Sequence, residues 1–356
     1  MGAGITYPWS AVCALAYVYA VVALYIASQS RTGLRKLYTG RICVITIASA
    51  TVMTVFFGFA HIMRGIIYYA VMLCLTTVMG LALMDDIWHI RHRRAAATLA
   101  HLGVFIIFTA GIFGFADKQS ARITIEIGGQ SASAVKEDGT IITLPFMLSL
   151  DEFVLEEYAP KIFIRNSSGE LYDKAFLEAE KEGDSARVGD WTLEIKEQMG
   201  MAGRLPGEED FTRMMHVGAA PAVMLKASDG TVTKEGWVSC GSFLFDGAAL
   251  DLGDGLSAYM PVPEPQRFAS KLIVTERDGS VSRREVSVGH PLHIGGWMLY
   301  QSGYDVERGC WSTESSLLCV RDPWYPLIAA GLWIVLAAGI LMIFNAGGRK
   351  KEEKVQ

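Results

Sequence analysis

Five long uncharged apolar runs lie at the two ends of this 356-residue chain, and a more polar middle segment separates the first four from the last. Each run is close to the roughly 20 residues that a helix needs to cross the hydrocarbon core of a bilayer. The runs cover residues 8–28, 42–60, 65–84, 95–116 and 323–346. The sequence therefore predicts an α-helical membrane protein with about five transmembrane helices and a large domain inserted before the last one.

The basic residues of the short connecting segments predict how these helices are oriented. Lys and Arg in short loops hold those loops on the cytoplasmic side. They cluster in the first loop, the third loop and the tail, as Arg31, Arg35, Lys36, Arg41, Arg91, Arg93, Arg94, Arg349, Lys350, Lys351 and Lys354. We therefore expect a multi-pass protein of the cell inner (cytoplasmic) membrane with its large domain on the periplasmic side. The formal net charge of −5 argues against a nucleic-acid partner.

The middle segment has the pattern of a β-rich domain. Residues 122–127, Arg-Ile-Thr-Ile-Glu-Ile, alternate polar and apolar side chains, and Gly230, Gly279 and Gly295 interrupt later apolar runs. These features predict an all-β or β-rich domain, either a sandwich or an open barrel. The expected organisation is a membrane domain at residues 1–116, a periplasmic β-rich domain at 117–322, and a final helix with a basic cytoplasmic tail at 323–356.

Cysteine positions constrain the redox chemistry of the chain. Three of the six cysteines fall in predicted membrane helices, and the other three, Cys240, Cys310 and Cys319, fall in the β-rich domain. An odd number of cysteines in an oxidising compartment leaves at least one unpaired, and Cys310 with Cys319 is a possible disulfide. The sequence contains neither Cys-x-x-Cys nor Cys-x-x-Cys-His, which excludes a thioredoxin-like site and covalent c-type haem.

His101 is the ionisable residue of the predicted helix at residues 95–116. An ionisable ring at membrane depth is costly without a partner, so its default interpretation is functional. The alternative is a structural ring that is hydrogen-bonded to a neighbouring helix. Residue patterns alone leave both interpretations open.

Several short stretches occur together in an order that resembles the ResB (also CcsB) family of cytochrome c biogenesis proteins. They are Ala100-His-Leu-Gly103, Leu144-Pro-Phe146, Leu150-Asp-Glu-Phe153, Glu156-Glu-Tyr-Ala-Pro-Lys161, Pro265-Gln-Arg-Phe268, His290-Pro-Leu292, Tyr300-Gln-Ser302 and Val320-Arg-Asp-Pro-Trp324. The resemblance covers roughly residues 98–344. No single stretch is specific, and the resemblance lies in the whole set.

The resemblance implies a subunit of the system II (Ccs) membrane complex. With a CcsA-like haem-handling membrane protein, such a subunit delivers haem across the membrane and attaches it to the Cys-x-x-Cys-His motifs of apocytochrome c. Thiol reductants of the same route would be further partners. The resemblance places the family's transmembrane histidine at His101, as an axial ligand to the iron of a transient, non-covalent haem b. The eight tryptophans are scattered, so no CcsA-like tryptophan-rich segment is present. We therefore expect an accessory subunit of a cytochrome c haem lyase (synthase), with no catalytic residues of its own.

His61 is the second candidate haem ligand, and its predicted depth separates it from His101. At about 1.5 Å per residue, His101 lies roughly 9 Å from the cytoplasmic boundary and His61 roughly 4 Å from the outer one, in a core about 30 Å thick. Two axial ligands of one iron must lie within about 4 Å of each other. The two histidines therefore cannot share one haem. Two other hypotheses remain open: a b-type haem electron-transfer subunit and a non-haem membrane scaffold for assembly.

Overall fold

The computed structural model describes residues 6–30, 40–59, 66–89, 95–205 and 207–352. Its contacts divide the chain into two compact units. The first comprises Met1–Gln119 with Arg321–Gln356, and the second is Ser120–Val320. The first unit is helical and the second is built from β-strands.

Among the residues that the structure describes, five long helices form the first unit, and a short 3₁₀ turn, Phe115–Asp117, follows the fourth. In chain order they are α1 (Trp9–Gln29), α2 (Gly40–Phe59), α3 (Ile66–Trp88), α4 (Ala95–Gly114) and α5 (Tyr325–Glu352). Apolar side chains lie all around these helices, as expected for helices in an apolar surrounding and unlike the amphipathic helices of a soluble bundle.

Four segments of the described residues are long and apolar enough to cross a membrane, whereas five were predicted. They are Trp9–Gln29, Ile67–Trp88, Ala95–Asp117 and Tyr325–Phe344. Within α2, the corresponding apolar segment is shorter, Val44–Val55. Helix α2 as a whole has 20 residues, Gly40–Phe59, and at about 1.5 Å per residue its length is close to that of a hydrocarbon core about 30 Å thick. Four of the five predicted spans are thus found at full length in the part of the chain that the structure describes.

Helices α4 and α5 approach each other through two glycines. A Cβ atom added at Gly103 would lie 2.7 Å from the carbonyl oxygen of Gly331, and one added at Gly331 would lie 2.9 Å from the carbonyl oxygen of Gly103. Small residues at such contacts let transmembrane helices pack backbone against backbone. This contact fixes the spacing of α4, the helix that carries His101, from α5.

Replacing Gly103 with alanine is expected to destabilise the helical unit by about 1–3 kcal/mol, because the added methyl group overpacks a backbone contact. Gly111→Ala on the same helix is the matched control, since a Cβ atom there would meet nothing within 4 Å. Alanine at that position should be neutral or stabilising, because alanine has the higher helix propensity. Thermal unfolding of the purified protein in detergent measures both, and equal shifts would contradict the close contact.

In the described part of the second unit there are seventeen strands. They are β1 (Gln119–Glu126), β2 (Gln130–Val135), β3 (Ile141–Glu157), β4 (Lys161–Arg165), β5 (Leu177–Glu178), β6 (Ser185–Val188), β7 (Trp191–Gly203), β8 (Thr212–Arg213), β9 (Ala220–Ser228), β10 (Thr233–Ser239), β11 (Leu250–Gly253), β12 (Leu256–Tyr259), β13 (Pro265–Glu276), β14 (Val281–Ser287), β15 (Leu292–Ile294), β16 (Trp297–Tyr304) and β17 (Glu314–Arg321). The β-rich prediction is therefore confirmed.

Eight of these strands form one antiparallel sheet in the order β14-β13-β3-β2-β1-β17-β16-β15. Side chains alternate along β1 as predicted, with Ile123 and Ile125 buried between exposed neighbours. Strand β14 also contacts β16 near the other edge, so the sheet curves into a near-barrel around one apolar core.

The remaining strands form two smaller sheets that share a second core. One has the order β10-β9-β7-β6, with β8 paired to β7, and the other has the order β11-β12-β4-β5. Ile164 of β4, Leu193 of β7 and Leu225 of β9 are fully buried in this shared core. The second unit thus combines a near-barrel with a two-sheet sandwich.

Candidate functional site

His101 of α4 has a carboxylate partner on the neighbouring helix. Its ring Nδ1 lies 2.8 Å from Oδ2 of Asp86 on α3. The His101 side chain is 34% exposed, and that of Asp86 is 12% exposed. Because an ionised carboxylate only accepts hydrogen bonds, Nδ1–H of His101 is the donor in this pair. The second ring nitrogen, Nε2, is then the one with a lone pair to offer.

Asp85, the residue before Asp86, makes a different set of contacts. The hydroxyl group of Tyr25 on α1 donates to Oδ1 of Asp85 at 3.3 Å. His89 Nδ1 lies 3.3 Å from the same oxygen. Adjacent residues of a helix point about 100° apart, so one carboxylate faces α1 and the other faces α4. Polar groups from α1, α3 and α4 therefore meet at one end of the helical unit. We call Tyr25, Asp85, Asp86, His89 and His101 the Asp85–Asp86 cluster.

A second polar cluster lies at the other end of the helices, around Asp117. The Tyr7 backbone N–H donates to Oδ1 at 2.5 Å, and the Ser10 hydroxyl donates to Oδ2 at 2.5 Å. Trp324 Nε1–H also donates to Oδ2, at 2.6 Å. The Asp117 side chain is buried, and its three donors come from the start of α1 and the residue just before α5. This carboxylate thus ties three helix ends together.

An apolar cavity of about 330 Å³ lies between α1, α4 and α5. Its wall on α4 begins at Phe105, one helical turn beyond His101, and includes Thr109. The Thr109 hydroxyl is buried without a hydrogen-bond partner among the described residues. Other threonines of these helices, such as Thr76, bond instead to the carbonyl group four residues earlier. The cavity therefore has almost wholly apolar walls, and the Thr109 hydroxyl lies buried behind them.

The second predicted haem ligand, His61, lies outside the residues that the structure describes. Across the described ranges, no group of three or more His, Cys, Asp and Glu side chains could hold a metal ion by itself. A haem iron needs fewer protein ligands than a bare metal ion. The porphyrin supplies four nitrogens, and the protein supplies only the axial ligands. His101 with Asp86 fits that smaller requirement.

The predicted Cys310–Cys319 disulfide is not formed in the structure, where both residues are free thiols. Cys319 lies on β17 with its side chain in the core of the near-barrel, and burial raises the pKa of its thiol to about 12. Cys310 lies in an exposed 3₁₀ turn, Gly309–Trp311. The Trp311 ring Nε1–H donates to the carbonyl oxygen of Ala219 at 2.8 Å, which holds this turn against another part of the unit. The two thiols therefore occupy different environments.

Comparisons with known proteins give little beyond the geometry. No family model and no curated protein matches the chain. A solved structure described as "Cytochrome c Heme Lyase CcmF" aligns with it at 10% identity and a TM-score of 0.26, over 85% of this chain and 34% of that one. The chain spans about a third of that protein's length. A TM-score this low carries no argument about fold or function.

Asp86 is the site residue that sequence reasoning missed. The third apolar run was predicted to end at residue 84, whereas α3 continues to Trp88 and brings Asp86 within reach of His101. The available signal was the adjacent acidic pair, Asp85 and Asp86, directly after an apolar run that leads into a basic loop. Two acidic residues placed there need partners, and His101 was a candidate.

Proposed function

We propose that this protein is a ResB/CcsB-like subunit of a complex that delivers haem across the inner membrane and, with a CcsA-like partner, attaches it to apocytochrome c. The observation that carries the proposal is the hydrogen bond from His101 Nδ1 to Asp86, which leaves Nε2 to bind iron. The motifs that resemble the ResB family and the four membrane-capable helices agree with it.

The His101–Asp86 pair has the chemistry of a metal-binding histidine. Such histidines donate their other ring N–H to a carboxylate or carbonyl group, which fixes the tautomer and the ring orientation and makes the ligating nitrogen more basic. Haem b would supply the iron and the group that is finally attached to the cytochrome. In this chain, His101 would hold the iron, and Asp86 would hold His101.

The exposure of His101 supports a site shared with a partner. About a third of the side chain is exposed at the surface of the helical unit, so a haem there would also contact whatever covers that surface. A CcsA-like subunit would complete the site with a second ligand from its own chain. In this role the chain holds and passes on haem while the partner performs the attachment.

Replacing Asp86 with asparagine is expected to weaken haem retention by about 10–100-fold, the usual cost of losing a carboxylate that hydrogen-bonds a metal-binding histidine. Asp85→Asn is the matched control, because Asp85 bonds Tyr25 and His89 and not His101. Haem titration of the purified complex, followed by its absorbance, measures the affinity of each variant. Equal affinities for the two variants would contradict the positioning role of Asp86.

The proposed function itself is tested by co-expressing the chain with its CcsA-like partner and measuring the haem content of the purified complex. The expected result is a b-type absorbance spectrum that is lost on denaturation, because the haem is not covalently attached. A complex that supports cytochrome c maturation yet never contains haem would overturn the haem-delivery role. It would favour the scaffold alternative.

A further inference from the structure

The exposed turn that carries Cys310 is held against a loop that carries a second cysteine, Cys240. On one side of Cys310, the Arg308 guanidinium lies over the ring of Phe243, 5.4 Å from its centroid. On the other side, Trp311 bonds to the carbonyl oxygen of Ala219. Both contacts fix the turn onto the ends of β9 and β10.

Cys240 lies between those two contacts. It directly follows Ser239, the last residue of β10, which pairs with Ala222 of β9. Trp311 is hydrogen-bonded to Ala219, which lies three residues before Ala222. Phe243, which Arg308 covers, lies three residues beyond Cys240. The turn and the loop are therefore fastened on either side of the two cysteines, which brings the two thiols to the same end of the sandwich.

Glu157, the last residue of β3, lies beside the turn that carries Cys310. A Cβ atom added at Gly309, next to Cys310, would lie 3.9 Å from its Oε1. Burial, with a smaller contribution from the negative charge of Glu157, raises the pKa of the Cys240 thiol to about 11 and raises that of Cys310. The Cys310 sulfur adds a small further rise to the pKa of Cys240, as expected for two neighbouring thiols.

We propose that Cys240 and Cys310 are a thiol–disulfide pair, with Glu157 as the neighbouring acid–base group, and that this pair replaces the Cys310–Cys319 disulfide expected from the sequence. Its reaction partner is a protein disulfide. The proposal rests on contacts within the β unit alone and does not depend on haem binding.

The exchange proceeds in two steps. The more exposed thiol, Cys310, attacks one sulfur of the partner disulfide as its thiolate, which forms a mixed disulfide and releases the partner's other sulfur as a thiolate. Cys240 then attacks the Cys310 sulfur, which forms the Cys240–Cys310 bond and releases the partner as a dithiol. Two electrons and two protons thus move to the partner.

Peptide mapping of the purified full-length chain tests the pairing without any substitution. The protein is equilibrated in glutathione buffers of graded ratio, and its remaining thiols are then alkylated under denaturing conditions. Trypsin leaves Cys310 and Cys319 in one peptide, so a glutamate-specific protease is added to cut after Glu314. The expected product joins the Cys240 and Cys310 peptides, with Cys319 alkylated. A Cys310–Cys319 product, or three free thiols at every ratio, would overturn the proposal.

The role of Glu157 is tested by the rate at which a maleimide alkylates Cys310 at pH 8. Burial and, less strongly, the negative charge of Glu157 raise the pKa of the Cys310 thiol. Glu157→Gln removes that charge, so a larger fraction of Cys310 is thiolate at pH 8 and the alkylation rate should rise by roughly twofold or more. The neighbouring Glu156→Gln is the control, because Glu156 pairs with Arg267 at the surface. Equal rates in the two variants would overturn the assignment of Glu157.

Discussion

His101→Gly is expected to reduce the haem retained by the purified complex by more than the loss caused by Asp86→Asn, and to reduce c-type cytochrome maturation with it. The variant removes the iron ligand itself, whereas Asp86→Asn removes only the group that orients it. Added imidazole should restore haem binding, because it can occupy the space left by the side chain and supply the missing nitrogen. The measurement is haem content per protein chain, with and without imidazole.

His89→Gly provides a matched control for this experiment. His89 lies at the end of α3, exposed to solvent and hydrogen-bonded to Asp85, and it should not affect haem retention. Thermal unfolding of both variants separates ligand loss from destabilisation, since glycine in the middle of α4 by itself costs about 1 kcal/mol. If His101→Gly lowers the unfolding temperature but leaves haem content unchanged, the His101–Asp86 bond is a structural tether between helices and the haem-ligand role is wrong.

Asp117→Ala is expected to have the largest effect on stability, roughly 3–5 kcal/mol, because it leaves buried donors without an acceptor. Tyr7 N–H, Ser10 Oγ–H and Trp324 Nε1–H all donate to this one carboxylate. The measurements are the yield of folded protein and its thermal unfolding in detergent.

Asp322→Ala is the control for that prediction. Asp322 also acts at the start of α5, where its Oδ1 accepts from the backbone N–H groups of Trp324 and Tyr325 at 3.0 and 3.1 Å. Loss of such a helix cap costs about 1 kcal/mol. Equal destabilisation by the two substitutions would mean that Asp117 contributes no more than an ordinary cap.

The coarse architecture could be predicted because it depends on local patterns. Uncharged runs predict helices of membrane length, and the alternation of residues 122–127 predicts a strand, which β1 forms with Ile123 and Ile125 buried and Ile127 exposed beyond its end. The end of α3 was misplaced because a hydropathy pattern stops at the first charged residue. The helix itself continues as long as those charges find partners, as Asp86 does with His101.

The contacts that define the sites could not be predicted, because they join residues far apart in sequence. Asp117 and Trp324 are separated by 207 positions, and no local pattern indicates that they meet. The environments of the cysteines could not be predicted either. Cys310 and Cys319 are neighbours in sequence, but the period-two alternation of β17 turns Cys319 into the core and away from the exposed turn.

The glycine contact between α4 and α5 also limits the direction from which another subunit can reach His101. Gly103 lies two residues after His101, and two residues of a helix correspond to about 200° of rotation. The face of α4 opposite His101 is therefore closed by α5, whose backbone leaves no room for an inserted helix. A partner that shares an iron with His101 must approach along the α3 side, so crosslinking from α3 should capture it and crosslinking from Val335 on α5 should not.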